Sequence, residues 1–318
     1  MLTLGVAVRY ASGTDASAAA EVAASSDVVI VFATEYMSES VDALTLSLPD
    51  GQDALIQAVA AANPHTVVVL ETGGPVSMPW IDTVSGVFAS WYPGIGGGEA
   101  IADLLFGVVN PSGKLPATFA RIDADLPVPH IVGMTPADKA VRDMSDEKRG
   151  VFELTYPEGL AFGYRWFEAK HKQPLFAFGH GLSYTTFQYS NLKTDSVART
   201  LQFQLRNAGS IAGAEVAQVY ITLPPSSGEP FQRLAGWQRV QLAPGESKTI
   251  TVPLDPAYLS IFDVASDKWK LLAGDYTIAV GTASDAAHLA GSVHLQSPEG
   301  DSIPVPAAGE MASRRAEW

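Results

Sequence analysis

Two short runs with no polar interruption constrain the fold most: residues 27–33 (DVVIVFA) and 66–70 (TVVVL), with a helical pattern between them. A strand that alternates has one wet face, whereas a continuously apolar, β-branched run is expected of a strand buried on both faces of a parallel sheet. Between the runs, residues 52–62 carry apolar groups at helical spacing, Asp50 stands where an N-cap is expected, and Asn63–Pro64 stops the pattern. Residues 16–25 are alanine-rich and predict an earlier helix. Residues 80–84 predict a helical turn, 86–91 a third strand, and 98–106 a third helix ended by Gly107. This alternation predicts an α/β domain with a mostly parallel sheet flanked by helices.

The pattern then changes. Residues 121–158 are rich in Pro, Asp, Lys and Gly, lack periodicity, and are expected to form a long loop or linker. From about residue 175 the chain reads as short strands at 201–206, 215–222, 238–242, 247–253 and 274–281. Asn-Ala-Gly, Pro-Pro-Ser, Ala-Pro-Gly and Ala-Gly-Asp punctuate them. Such spacing predicts an antiparallel sandwich of the immunoglobulin or fibronectin type. The expected organisation is an α/β domain over 1–120, a linker over 121–174, a β-sandwich over 175–296 and a loosely held tail over 297–318.

Composition narrows the partners. The 318 residues include 34 acidic and 20 basic groups, a net charge of −14. A surface of that sign repels phosphate backbones and anionic membranes, so neither nucleic acid nor membrane is an expected partner. Cysteine is absent, which excludes disulfides, thiolate catalysis and cysteine-based metal sites. The longest apolar runs are far too short to span a bilayer. The first residues (MLTLGVAVRYASG) lack the charged region, long apolar stretch and cleavage site of a signal peptide. They read as an abrupt strand end, and the expectation is that the chain begins inside a larger protein.

Longer motifs then occur in a fixed order. They are LSLPDGQ (46–52), ETGGPV (71–76), WYPGIGGGEA (91–100) and NPSGKLP (110–116), then YPEGLAFGYRWF (156–167) and PLFAFGHGLSYTTF (174–187). NAGSIAG (207–213), EVAQVY (215–220), LAGW (234–237) and LAPGESKT (242–249) follow. From about residue 3 to residue 290 this series resembles the C-terminal α/β domain and fibronectin type III-like domain of glycoside hydrolase family 3 β-glucosidases. The resemblance implies a retaining, two-carboxylate hydrolysis of terminal β-D-glucosyl or related residues. Its substrate would be a β-glucoside or oligosaccharide, with no cofactor or metal. It also implies a (β/α)8 barrel, in cis or in trans, carrying the nucleophilic aspartate in a Ser-Asp-Trp-like motif. No such motif occurs in this chain, so the chain alone is expected to be inactive. By the same resemblance the α/β domain is expected to be incomplete at its start, and the compartment to be periplasmic or secreted.

Retaining glycosidases place their two carboxyl groups roughly 5–5.5 Å apart, one attacking and one donating and later accepting a proton. In the family resembled, the proton donor is a glutamate on the loop after an early strand of the α/β domain. Here that loop is TEYMSESVD (34–42), and the family pattern of Glu-Gly-aromatic-Asp aligns Glu39 with the glutamate and Asp42 with the aspartate. Ser40, Val41 and Ala43 depart from the usual glycine, aromatic and basic residues, changes that alter loop shape or subsite contacts. Glu35, four residues earlier, is the rival or a supporting sugar contact. The bland alternative is that these are solvated loop acids. Against it stands the position: ligands of open α/β sheets bind beyond the carboxyl ends of the strands.

Other residues draw weaker readings. Residues 94–98 (GIGGG) resemble a phosphate loop superficially, yet lack the full spacing, and close strand–helix packing explains them better. His180 between two glycines is read as a loop anchor rather than a catalytic group. Asp125, Asp138, Asp143 and Asp146 lack calcium-loop spacing. Trp91, Trp166, Trp237 and Trp269 are candidates for sugar stacking, the last two more naturally sandwich core or edge residues. The alternative function is a non-catalytic carbohydrate- or partner-binding module, inactive alone.

Overall fold

The computed structural model describes residues 5–38, 43, 45–129 and 155–297. These form two compact units. One takes the described residues within Met1–Phe106, Phe119–Gly159 and Pro174–Phe176; the other takes those within Gly107–Thr118, Leu160–Gln173 and Ala177–Trp318.

The first unit is built on a parallel sheet of order β1–β2–β3, with β1 at Val29–Thr34, β2 at Thr66–Glu71 and β3 at Gly86–Ala89. Helix α1 (Ala16–Ala24) starts at Asp15, whose carboxylate accepts from the amides of Ser17 and Ala18. Helix α2 (Gln52–Ala62) has the bounds its periodicity predicts. Ala19, Ala23 and Val59 pack against Val29, Val31 and Leu55, so both helices cover one face of β1. Asn63 joins the helix ends: its amide donates to the carbonyls of Ala23 (3.0 Å) and Ser26 (2.7 Å). Helix α3 (Gly97–Leu105) follows β3.

Two expectations are corrected here. Asp50 does not cap α2; it takes a left-handed φ of 58° and Gly51, at φ 73°, is the residue at the helix start. The cap position is thus held by a residue without a side chain, and α2 starts with no side-chain cap hydrogen bond. The strand at 27–33 is also not buried on both faces. Its alternate residues Val28, Ile30 and Phe32 are 60%, 39% and 53% exposed. β1 is the edge of the sheet, and among the described residues helices cover only its other face. The central strand β2 does have the continuous burial that its TVVVL run predicts.

The second unit is a β-sandwich, as the spacing of short strands predicts. One sheet has the order β12–β11–β6–β7 and the other β4–β5–β8. Their strands are β4 (Phe187–Asp195), β5 (Thr200–Asn207), β6 (Gly213–Thr222), β7 (Gln232–Leu242), β8 (Ser247–Pro253), β11 (Gly274–Ala283) and β12 (Ala286–Leu295). A hairpin of β9 (Ser260–Asp263) and β10 (Lys268–Leu271) lies between β8 and β11 in sequence. β5 alternates strictly, burying Leu201, Phe203 and Leu205 against Val219, Ile221, Ile278 and Val280. Helix α4 (Tyr164–Ala169) packs here through Tyr164, whose ring lies 5.0 Å from that of Phe178 at a 30° tilt and meets Tyr220 edge-on at 5.9 Å. Trp237 lies on the edge strand β7 and Trp269 on β10, partly exposed.

Candidate active-site loop

The loop that follows β1 is fastened on both sides of its acidic segment. At the end of β1, the Gln52 side chain closes a two-way clasp on Thr34. Its Nε2 donates to the Thr34 carbonyl and its Oε1 accepts from the Thr34 amide, each at 2.8 Å. The next amide, that of Glu35, continues the parallel ladder by donating to the Glu71 carbonyl at the end of β2 (3.2 Å). From beyond β3, the Tyr92 hydroxyl donates to the Glu35 carbonyl (2.7 Å) and accepts from the Met37 amide (2.8 Å). Residues 34–37 are thus held by groups from α2, β2 and the segment after β3. Gly73 permits the approach, because a Cβ there would come within 2.9 Å of Met37 Cβ and 3.0 Å of the Tyr92 hydroxyl.

On the far side, the Asp123 carboxylate accepts from the Thr45 hydroxyl and the Leu46 amide, both at 2.8 Å. The Leu46 carbonyl accepts from the Ser77 amide at 2.7 Å. Glu39 and Asp42 lie between these two anchored stretches in sequence and are outside the described residues. Glu35 is described. It is half-buried, and burial raises its carboxyl above the ordinary carboxylate range. The fastened stretches sit at the carboxyl ends of parallel strands, where a rigid sheet can present loop side chains to a ligand.

Gln52 and Tyr92 fall in the LSLPDGQ and WYPGIGGGEA motifs, which marked them without saying what they do. Asp123 lies outside every motif, and nothing local distinguishes it from the other acids of its segment. Among the glycines of residues 94–98, Gly97 serves packing, since a Cβ there would sit 2.6 Å from the Pro93 ring, and Gly94 serves the turn with a left-handed φ of 68°; a Cβ on Gly96 or Gly98 would meet nothing within 4 Å. Trp91 meets the buried Phe119 edge-on at 6.2 Å. In the second unit, the His180 peptide is fixed by its amide donating to the Ala177 carbonyl and its carbonyl accepting from the Leu115 amide. Burial lowers its imidazole below the ordinary range; Lys114 adds to this and Asp285 opposes it. Asp138, Asp143 and Asp146 are outside the described residues. Among the described residues no group of three or more His, Asp or Glu converges, and no helix is long and apolar enough to cross a membrane.

Comparison with known proteins gives two family matches: the glycosyl hydrolase family 3 C-terminal domain over residues 4–184 and a fibronectin type III-like domain over residues 215–284. β-Glucosidase B of Emericella nidulans is 43% identical over 277 residues, covering 83% of this chain and 32% of that protein. Thermostable β-glucosidase B of Acetivibrio thermocellus is 38% identical over 289 residues, covering 88% of this chain and 36% of that protein. The chain therefore spans about a third of the length of these curated relatives. Among solved structures, DesR, a β-glucosidase from Streptomyces venezuelae in complex with D-glucose, matches with a TM-score of 0.76 and 39% identity, over 88% of this chain and 35% of that one. A β-glucosidase from Bifidobacterium adolescentis matches with a TM-score of 0.78 and 32% identity, over 96% and 45%.

Proposed function

The chain belongs to glycosyl hydrolase family 3, whose C-terminal domain it carries, and from that premise we propose that it supplies the acid/base half of a retaining glycoside hydrolysis. Glu39 is the proton donor, and the nucleophilic aspartate comes from a (β/α)8 barrel outside this sequence. The substrate is a terminal β-D-glucoside or a related oligosaccharide. The observation that carries this reading is the double fastening of the loop: Gln52 and Tyr92 before Glu39, Asp123 after it.

In the first step the carboxylic acid of Glu39 gives its proton to the glycosidic oxygen as the aspartate attacks the anomeric carbon, so the leaving alcohol departs neutral. In the second, the Glu39 carboxylate takes a proton from water. The water oxygen attacks the anomeric carbon, the bond to the aspartate breaks, and the configuration is retained. Glu39 ends protonated, ready for the next cycle. Glu35 and Asp42 contact the sugar or support the donor. Burial raises the Glu35 carboxyl above its ordinary range, and its oxygens can hydrogen-bond a sugar hydroxyl.

The test is complementation. The chain is mixed with the barrel portion of a matched β-glucosidase and assayed on a chromogenic aryl β-glucoside. Wild type is expected to restore hydrolysis and Glu39→Ala to fail. Azide, which attacks without needing a general base, should partly rescue the variant on a substrate with a good leaving group. Full hydrolysis by this chain alone would sink the proposal. Saccharide or partner-protein binding without complementation would instead favour a non-catalytic module.

A further inference from the structure

The chain has no cysteine, so the thioethers of its six methionines are its only sulfur. Met37 and Met78 are the methionines among the described residues. Met78 is buried, only 3% exposed. Met37 is part-exposed and lies on the fastened stretch after β1, where its side chain has no role in the acid/base reading. Its seat is the turn after β2. A Cβ on Gly73 would come within 3.1 Å of the Met37 Sδ, and one on Gly74 within 3.5 Å of Sδ and 3.4 Å of Cε. The buried Thr72 closes that turn, its hydroxyl donating to the Gly74 carbonyl at 2.9 Å. The sulfur therefore rests on bare glycine backbone, a seat that suits a soft apolar group.

The Tyr92 hydroxyl reaches the same place. It lies 3.0 Å from the Gly73 Cβ position that Sδ meets at 3.1 Å. That hydroxyl has one proton, which it gives to the Glu35 carbonyl, and it accepts from the Met37 amide. Oxidation of the sulfur would change this neighbourhood in a definite way. The Sδ lone pair attacks one oxygen of hydrogen peroxide and the O–O bond breaks. The departing hydroxide takes the proton left on the new S–OH group and leaves as water. Sulfur loses two electrons and the peroxide gains them. A thioether is a weak acceptor, whereas the sulfoxide is polar. Its oxygen finds no donor on the Gly73–Gly74 seat, where the Thr72 hydroxyl is already spent, and it competes with the Glu35 carbonyl for the one Tyr92 proton.

We propose that Met37 is an oxidation-sensitive modification site: conversion of its thioether to the sulfoxide by hydrogen peroxide releases the Tyr92 hold on the backbone of Glu35 and Met37. The change is reversible by methionine sulfoxide reductases. It does not rest on Glu39 being the proton donor, and the readouts below involve no hydrolysis, so either proposal can fail alone.

The experiment exposes the full chain to dilute hydrogen peroxide and follows each methionine by peptide mass spectrometry, with amide hydrogen exchange on the same samples. Met37 is expected to gain one oxygen before Met78 does. Exchange at the Met37 amide should then rise about fivefold, the factor for one net hydrogen bond lost. It should return to its starting rate after treatment with reductases for both sulfoxide epimers. Tyr92→Phe, which lacks the latch, should exchange fast before peroxide and show no further rise after it. Met37→Leu fills the seat with an apolar group, so it should melt as wild type does and ignore peroxide. Oxidation of Met78 as fast as Met37, or unchanged exchange at residue 37 in the sulfoxide, overturns the proposal. So does a further rise in Tyr92→Phe, which would mark general loosening, or a response to peroxide at residue 37 in Met37→Leu.

Discussion

The Tyr92 hydroxyl donates to the carbonyl of Glu35, a residue 57 positions earlier, and accepts from the amide of Met37. One phenol thereby fixes the backbone on both sides of Tyr36, at the root of the loop that leads to Glu39. Tyr92→Phe keeps the ring and removes both bonds. Stability is expected to fall by about 1 kcal/mol, the net worth of such bonds near a surface. Hydrogen exchange at the Met37 amide should accelerate, and the complemented hydrolysis rate should fall with little change in KM. An unchanged Met37 exchange rate would show that the hydroxyl does not hold the loop.

Glu35 gives a pH prediction with a definite sign. Burial raises its carboxyl above the ordinary 4.5, so the folded state binds this proton more tightly than the unfolded state does. The contribution is fully present below the ordinary value and is lost as pH rises through the folded-state value. Glu35→Gln removes that loss. Melting temperatures of the two proteins should therefore shift in favour of the variant between about pH 4 and pH 7. Parallel curves over that window would refute the burial.

In the second unit, Lys114 and Glu215 form an ion pair at 2.8 Å with side chains only 12% and 6% exposed. Lys114 also donates to the Gly181 carbonyl at 3.0 Å, and one Glu215 oxygen accepts from the Val216 amide at 2.7 Å. Removing one partner strands a charge away from water. Lys114→Met is expected to cost about 3–5 kcal/mol in urea unfolding. The double variant Lys114→Met/Glu215→Leu should recover a large part of that loss, since no unpaired charge is left. Equal losses in single and double variants would contradict this account.

Asn207 is fully buried and its amide is spent four ways. Oδ1 accepts from the Thr185 hydroxyl (2.7 Å) and the Gly209 amide (3.1 Å), and Nδ2 donates to the carbonyls of Ile211 (2.8 Å) and Leu242 (3.2 Å). Asn207→Ala leaves several buried groups without partners and should cost about 3 kcal/mol. Asn207→Asp keeps the acceptor but not the donor, and should be destabilised most at neutral pH, where the carboxylate faces two carbonyls. Denaturant midpoints for both variants at two pH values check this.

What the sequence alone determined was local. The bounds of α2, the turn near Trp80 and the alternation of β5 follow from spacing, because helices and strands impose periods of 3.6 and 2 on whatever they bury. The ordered motifs carried the family. The tertiary structure decided what depends on distant neighbours. An apolar run reads alike on a central strand and on an edge, so only assembly left Ile30 and Phe32 exposed on β1 while burying β2. Asp50 and Gly51 carry a left-handed turn that no propensity for capping records. The holds on the candidate loop by Gln52, Tyr92 and Asp123 join residues 18, 57 and 77 positions apart. Hydrogen bonds across such separations are specified by the packing of the sheet and its helices, not by any pattern along the chain.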